Sequence, residues 1–270
     1  MLVRQSTIKS DARVTDKLSM PVRGRDLRTR HTEDQRVTRH LLLVSNSTNH
    51  QQGYLDHCMG EMIDILGERQ RLAFVPFALF DRKSYVATAT ERFEREGFAV
   101  RAVTSDGAGV ETLEWAEAVF VGGGNTFRLL KTLQDSDLMT TIRRRVGQGM
   151  VYMGASAGSN IAAPTIQTTN DMPIVQPVSF DALELVPFQI NPHYIDAPDD
   201  SAHMGETREQ RLVEYLEENR TPVVGIREGT WIRVAGGRAW LGGVQETRIF
   251  RKGTRAEERS PGADLSDLLA

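Results

Sequence analysis

The chain has 270 residues, of which 40% are hydrophobic and 26% charged, and its 33 Lys and Arg against 36 Asp and Glu give a formal net charge of −3. This composition is typical of a globular protein, and the near balance of charge gives no electrostatic reason to expect nucleic acid as the principal partner. The only cysteine, Cys58, excludes an intrachain disulfide and a Cys-rich metal cluster, and no apolar run approaches the roughly 20 residues that span a bilayer.

Both ends of the chain are polar and poor in core residues. Residues 1–39 are rich in Arg, Asp and Thr without sustained apolar periodicity, which predicts a disordered extension. Their acidic residues are too many for an organellar transit peptide, and a start codon assigned too far upstream, with Met20 as one alternative, would also explain them. Residues 251–270 are similarly charged and predict a C-terminal tail, which leaves residues 40–250 as a single domain.

Within this domain, short apolar runs alternate with segments of helical periodicity. That pattern is typical of an α/β fold, with a mainly parallel sheet flanked by helices. In chain order the first predicted elements are the strand Leu41–Val44, the helix Tyr54–Leu66, the strand Leu72–Phe77, the helix Ser84–Glu96, the strands Ala99–Val103 and Ala118–Val121, the helix Thr126–Gln134 and the strand Val151–Met153. After about Ala163 the pattern changes, and the predicted elements are the strand Leu183–Ile190, the helix Arg208–Glu218 and the strands Val223–Ile226, Trp231–Ala235 and Thr247–Phe250.

The strand at Val151–Met153 leads directly into a G-x-S-x-G motif, Gly154-Ala155-Ser156-Ala157-Gly158. A serine in this context lies on a tight strand-to-helix turn, a nucleophile elbow, which exposes its hydroxyl at the edge of the sheet. The N–H of Ala157, at the start of the following helix, is placed to stabilise an oxyanion. The alternative is an inert serine in a tight turn.

A nucleophilic serine requires a base, and histidines are scarce. Outside the N-terminal region they are His50, His57, His193 and His203. His193 is the best candidate, because it follows Asn191-Pro192 at the end of a predicted strand, where a loop side chain can reach the sheet edge. A hydrogen-bonded loop histidine is the alternative, and His203, in a polar stretch, is expected to be solvated.

The carboxylate that would orient this histidine is harder to choose, because acidic residues are abundant. Asp171, in a polar turn between the serine and the histidine, is the first candidate, although an Asn-Asp pair often forms an Asx-turn or a helix cap. Glu228, which follows the predicted strand Val223–Ile226, is the rival third member. The sequence leaves this choice open.

A second glycine cluster, Gly122-Gly123-Gly124-Asn125, follows the strand Ala118–Val121 and precedes a helix. Phe127 occupies the position at which a dinucleotide fingerprint would carry its third glycine, and no phosphate-loop lysine follows. The N–H of Gly124 could instead be the second oxyanion donor beside Ala157. A plain tight turn is the alternative.

Taken together, these motifs make the chain closely resemble peptidase E, the α-aspartyl dipeptidase family of serine peptidases. The matching segments, in order from Leu41 to about Phe250, are Leu43–Thr48, Val121–Phe127, Gly154–Asn160, Pro164–Ile166, Thr168–Ile174, Gln189–His193 and Gly205–Arg211. The resemblance implies a fold like that of class I glutamine amidotransferases and hydrolysis of dipeptides that begin with aspartate.

The resemblance also implies roles for individual residues. Ser156 matches the nucleophile, His193 the general base and Asp171 the acid usually assigned to the triad, while Glu228 matches a glutamate proposed for the same role. Gly124 and Ala157 match the oxyanion donors, and Arg208 matches an arginine linked to recognition of the aspartate. As an alternative, Arg208 could be an exposed helix residue paired with nearby acids.

Two other functions stay open on sequence alone. One is a related hydrolase of the same fold, cyanophycinase-like, and the other is a catalytically inactive module that binds acidic peptides. We expect a cytoplasmic enzyme that acts on a small dipeptide, needs no metal or cofactor, binds neither nucleic acid nor membrane, and exists as a monomer or homodimer.

Overall fold

A computed structural model describes residues 39–197 and 205–270. The predicted extension, except for Arg39, and His203 lie outside these residues. Among the described helices, none is both long enough and apolar enough to cross a membrane.

The larger sheet has seven strands, and its central part is parallel. Its parallel strands are β1 (Leu41–Val44), β2 (Arg71–Val75), β3 (Ala99–Ala102), β4 (Ala118–Val121) and β5 (Val151–Ala155), and its antiparallel strands are β8 (Thr230–Ala235) and β9 (Arg238–Gly243). They lie in the order β3-β2-β4-β5-β1-β8-β9, with β8 antiparallel to β1. The prediction of an α/β fold with a mainly parallel sheet is therefore confirmed.

Helices cover both faces of this sheet, which explains why its strands are short apolar runs. The helices are α1 (Met59–Leu66), α2 (Arg82–Glu94), α3 (Gly107–Trp115), α4 (Thr126–Asp135), α5 (Leu138–Gly147), α6 (Ala157–Asn160) and α7 (Arg208–Glu218). Because side chains alternate along a strand, Leu42 and Val44 of β1 join the cluster that includes α1 and α2, whereas Leu41 and Leu43 join the cluster that includes α3, α4 and α5.

A second, four-stranded sheet was not predicted. It contains β6 (Gln189–Pro192), β7 (Val223–Ile226), β10 (Thr247–Phe250) and β11 (Glu257–Arg259), in the order β11-β10-β7-β6. Strands β6 and β7 are parallel, so their carboxyl ends lie side by side. Helix α7 packs on this sheet through Leu212 and Leu216, which contact a small cluster that includes Val223 and Phe250.

Two predicted elements are shorter than expected by four residues or more. The strand predicted at Leu183–Ile190 begins only at Gln189, as β6, and extends to Pro192. Its first part is instead a buried turn, in which the N–H groups of Leu183 and Leu185 donate to the carbonyls of Ile161 and Ala162. The helix predicted from Tyr54 begins only at Met59, since Leu55 has a φ of 63° and the N–H of Cys58 closes a turn onto the carbonyl of Leu55. Burial in these segments therefore comes without regular structure.

The segment after Phe250 is not the tail that we expected. It forms β11 and ends in a short 3-10 helix, Ser266–Leu269, in which Leu268 is buried, as is Leu265 just before it. The N–H of Leu265 donates to the carbonyl of Ala239 in β9 at 2.8 Å. The few apolar residues of this charged segment are enough to attach it to the edge of the larger sheet.

Candidate active site

Ser156 lies at the carboxyl end of β5, immediately before α6. Its φ is 54°, a value that is rare for a residue other than glycine and that typifies strained functional turns. A Cβ on Gly154 would lie 2.4 Å from the carbonyl oxygen of Gly158, and a Cβ on Gly158 would lie 2.0 Å from that of Val121. The motif's two glycines are thus required by close backbone packing, and Ser156 lies on the tight strand-to-helix turn that the motif predicts.

His193 joins Ser156 to a carboxylate. Its Nε2 lies 2.9 Å from Oγ of Ser156, and its Nδ1 lies 2.7 Å from Oε1 of Glu228. The histidine directly follows β6, and the glutamate is the second residue after β7, so the parallel pairing of these strands brings the two side chains together. This chain of contacts is the arrangement by which a base activates a hydroxyl while a third group orients the base.

Asp171, the first candidate for the third member, does not contact His193. Its Oδ2 accepts hydrogen bonds from the N–H of Thr126 at 2.7 Å and from the Thr126 hydroxyl at 2.6 Å. The first N–H groups of a helix have no partner within the helix, and Asp171 satisfies the one at the start of α4. The structure therefore corrects our first choice: Asp171 caps a helix, and Glu228 stands against the histidine.

The glycine cluster lies against the serine. A Cβ on Gly123 would be 2.9 Å from Cβ of Ser156, and Gly124 has a φ of 134°, a conformation that favours glycine. Within the described ranges, neither the N–H of Gly124 nor that of Ala157 donates to a protein acceptor. Both predicted oxyanion donors are thus available for a ligand.

Arg208 is the first residue of α7, whose start is fixed by a capping box between Thr207 and Gln210. Its Nη1 is buried, and no acceptor in residues 39–197 or 205–270 bonds to it. Burial, followed by the positive charge of Arg211, lowers the pKa of the guanidinium.

The surroundings of Arg208 also place it near the candidate catalytic residue Glu228. Asp171, Glu228 and Tyr194 all act to raise its pKa, which shows that these groups lie within electrostatic reach of the guanidinium. The alternative from the sequence was an exposed arginine paired with neighbouring acids. Nη1 does not fit it, because this atom is buried and has no partner among the described residues. A buried cation atom without a partner is instead suited to an anionic ligand group.

Two residues that sequence reasoning did not single out also contact the site. The Ser45 hydroxyl accepts a hydrogen bond from the N–H of His193 at 2.9 Å, and Oδ1 of Asn46 accepts one from the N–H of Gly229 at 2.8 Å. The available signal was their position, since two polar residues directly follow the buried strand β1, at the end of a parallel sheet where ligands usually bind.

Comparison with known proteins agrees with this geometry. The model of peptidase family S51 matches residues 41–242. The chain belongs to peptidase family S51. Peptidase E of Streptomyces coelicolor is 53% identical over 229 residues, which cover 85% of this chain and 94% of that protein. A Drosophila melanogaster protein named probable alpha-aspartyl dipeptidase is 45% identical over 234 residues, or 86% of this chain and 98% of that protein.

A solved structure shows the same fold as this S51 chain. It is a peptidase from an acI-B1 actinobacterium, with a TM-score of 0.64 and 17% identity, over 86% of this chain and 98% of that one. The family match confirms the resemblance to peptidase E and the expectation of a serine-type peptidase.

Proposed function

We propose that this S51 peptidase hydrolyses dipeptides whose N-terminal residue is aspartate, through an acyl-enzyme formed on Ser156. The observation that carries the proposal is the chain of contacts from Ser156 through His193 to Glu228. Nη1 of Arg208, which has no hydrogen-bond partner among the described residues, lies in the same neighbourhood. The contacts among Ser156, His193 and Glu228 are suited to acyl transfer, and the guanidinium of Arg208 is suited to bind a side-chain carboxylate.

The imidazole moves the protons of the reaction. When Glu228 is ionised it accepts from Nδ1–H, which leaves Nε2 to take the proton of Ser156 as Oγ attacks the scissile carbonyl carbon. His193 then gives that proton to the leaving amine, and the peptide bond breaks. In the second half, a water loses a proton to His193 and attacks the ester carbonyl carbon. The bond from that carbon to Oγ then breaks and His193 returns the proton to Oγ, which releases aspartate and restores Ser156.

The backbone N–H groups of Gly124 and Ala157 are the proposed oxyanion donors. The negative charge of the tetrahedral intermediate develops on the carbonyl oxygen, and donors already in place stabilise it without reorganisation. Loss of one such donor typically costs about 2.7–4 kcal/mol of transition-state stabilisation.

Arg208 is the proposed selector of aspartate. A guanidinium binds a carboxylate through two parallel hydrogen bonds, whereas an asparagine amide offers a single acceptor and no charge. Because Nη1 is buried, a substrate with a neutral side chain would leave the cation desolvated and unpaired. We therefore expect Asp-Leu to be strongly preferred over Asn-Leu.

The test is hydrolysis of Asp-Leu, Asn-Leu, Glu-Leu and Ala-Leu by the wild-type protein and by Ser156→Ala and Arg208→Ala. Arg211→Ala is the matched control, because Arg211 lies one turn further along α7 and its exposed side chain pairs with Glu206. Cleavage confined to Asp-Leu should disappear in Ser156→Ala, weaken and lose its selectivity in Arg208→Ala, and persist in Arg211→Ala.

Other outcomes would reject parts of the proposal. Equal cleavage of Asp-Leu and Asn-Leu by the wild type would remove Arg208 as the selector. Absence of cleavage of all four dipeptides would move the function to another acyl substrate.

We also propose a cytoplasmic location. Cys58 is a buried free thiol, and burial raises its pKa to about 12, so it is inert to disulfide exchange. A chain with one such cysteine is suited to a reducing compartment. Fractionation of the source cells, with an antibody to the protein, would test this location. A monomer or homodimer remains our prediction, to be measured by light scattering.

A further inference from the structure

The proposed catalytic groups come from two different sheets. Ser156 follows β5 of the seven-stranded sheet, whereas His193 and Glu228 follow β6 and β7 of the four-stranded sheet. The 2.9 Å contact between Oγ of Ser156 and Nε2 of His193 therefore crosses from one sheet to the other. Its length depends on how the ends of the two sheets are held together at this point.

Ser45 connects the two sheets beside that contact. It follows β1 of the larger sheet, has 0% of its surface exposed, and its N–H donates to the carbonyl of Thr230 at 3.0 Å. Its hydroxyl reaches the smaller sheet, where it donates to the carbonyl of Ile226 at 2.8 Å and accepts from the N–H of His193 at 2.9 Å. One buried hydroxyl thus fixes the end of β7 and the backbone of the base.

Asn46 holds the backbone next to Glu228, the residue that contacts Nδ1 of His193. It is 1% exposed, and its Oδ1 accepts from the N–H of Gly229, the residue after Glu228, at 2.8 Å. Its Nδ2 donates to Oδ1 of Asn49 at 2.7 Å and to the carbonyl of Thr48 at 3.0 Å, so the amide cannot turn away without losing both bonds. Ser45 and Asn46, which are adjacent at the end of β1, therefore hold His193 and Glu228 through separate hydrogen bonds.

The backbone of His193 needs such support. Its φ is 52°, which costs of order 1–3 kcal/mol for a residue other than glycine and persists only where the surroundings hold it. The hydrogen bond to Ser45 is one restraint on this turn. The bond from Nδ2 of Asn170 to the carbonyl of Pro192, at 2.8 Å, is a second, and the bond from the N–H of Tyr194 to the carbonyl of Ile226, at 3.0 Å, is a third.

We propose that Ser45 and Asn46 are positioning residues, which hold His193 and Glu228 in line with Ser156 across the boundary between the two sheets. The proposal rests on the proposed roles of Ser156, His193 and Glu228. It assigns no contact with substrate to either residue, so the effect of their loss should fall on turnover rather than on substrate capture.

The experiment compares Ser45→Ala and Asn46→Ala with the wild type. Ser45→Cys is the second variant at position 45, because it keeps nearly the same volume but replaces the hydroxyl by a weak donor and acceptor. Ser266→Ala is the matched control, since the Ser266 hydroxyl also accepts a backbone N–H, that of Ala239 at 3.0 Å, but lies at the far edge of the larger sheet.

Two quantities are measured for each protein. A serine-directed phosphonate gives the rate at which Ser156 is labelled and, from the final extent, the number of competent sites. Steady-state hydrolysis of Asp-Leu then gives kcat per competent site and KM. Normalisation to competent sites removes any loss that comes only from a smaller folded fraction.

Misplacement of a reacting group by about 1 Å can cost about 100-fold in rate. We expect kcat per competent site and the labelling rate to fall together by roughly 10- to 100-fold in the three variants, with KM changed by less than about threefold. Ser266→Ala should match the wild type in both quantities.

A kcat per competent site within about twofold of the wild type in Ser45→Cys and Asn46→Ala would overturn the proposal, as would a rise in KM without a fall in kcat. If Ser45→Ala does not fold, Ser45→Cys decides for that position. If the wild type cleaves no aspartyl dipeptide but is labelled by the phosphonate, the proposed substrate fails, while the labelling rates of the variants still decide the positioning roles.

Discussion

At the scale of single residues, the site depends on which carboxylate meets the imidazole. Glu228 contacts Nδ1 of His193 while about half of its side chain stays exposed. The carboxylate of Asp171 instead accepts a hydrogen bond from the hydroxyl of Thr126. The two acids therefore make separable contacts, Glu228 with the imidazole of His193 and Asp171 with the start of α4.

For Glu228, we expect Glu228→Gln to lower kcat for Asp-Leu by about 10²- to 10⁴-fold, because an amide neither stabilises the imidazolium nor selects the tautomer with Nε2 unprotonated. The measurement is kcat at saturating substrate, with circular dichroism to show that the fold is retained. A kcat within a factor of three of the wild type would show that another group orients His193.

For Asp171, we expect Asp171→Ala to reduce the free energy of unfolding by about 1 kcal/mol, because the N–H of Thr126 loses its acceptor at the start of α4. Urea unfolding at neutral pH measures the difference. Asp135→Ala is the control, since Asp135 ends the same helix and its exposed carboxylate pairs only with Lys131 among the described residues. Equal stability of the wild type and Asp171→Ala would contradict the capping role.

At the scale of elements, the sequence predicts best where burial alone decides the structure. The strand Ala118–Val121 is predicted with its observed bounds, because a short apolar run buried on both faces has few other conformations. Helix α5 was missed, since its run of three arginines, Arg143 to Arg145, weakens the apolar pattern. Contacts between distant elements leave no such local signal.

The same limit applies to the site. Ser156 and His193 are predictable because a glycine-framed serine and a loop histidine are rare in this chain. The choice of Glu228 depends on the parallel pairing of β6 with β7, and the roles of Ser45 and Asn46 depend on backbone N–H groups more than a hundred residues away. No spacing in the sequence encodes those distances.

The attachment of the C-terminal segment can be tested through Asp264. Its carboxylate bonds to Ser266 and to Arg238 of β9, and these contacts hold its pKa at about 2, below the usual 3.8. Because the pKa is lower in the folded state than in the unfolded state, the ionised carboxylate stabilises the fold above pH 3.8, and this contribution is lost as the pH falls toward 2.

We therefore expect Asp264→Asn to lower Tm at pH 7 relative to the wild type, and this difference to shrink progressively below about pH 4. Thermal unfolding followed at several pH values measures it, with Asp135→Asn as the control for a general change of charge. A difference in Tm that stays constant down to the lowest pH would show that the Asp264 carboxylate does not act through its charge.

At the scale of the whole molecule, the two sheets are joined near the site by a small number of polar contacts. Beside the Ser45 contacts, Nδ2 of Asn160 in α6 donates to the carbonyl of Ile190 in β6 at 2.6 Å. Behind these bonds, one hydrophobic cluster contains residues of both sheets, among them Leu41 and Tyr152 of the larger sheet and Ile190 and Val224 of the smaller one. The two sheets therefore share a core, and the polar contacts restrain only the strand ends at the site, which can open without unfolding of either sheet.

Since the serine and its base belong to different sheets, activity should be more sensitive to perturbation than the helices and strands themselves. In a urea titration, hydrolysis of Asp-Leu should decline at concentrations at which far-ultraviolet circular dichroism is unchanged, and coincident transitions would contradict this. The enzyme would then pass through a local opening at these strand ends, in which the core shared by the two sheets persists and only the contact between Ser156 and His193 is lost. Turnover in this architecture thus reports how well the ends of two sheets that share one core stay aligned.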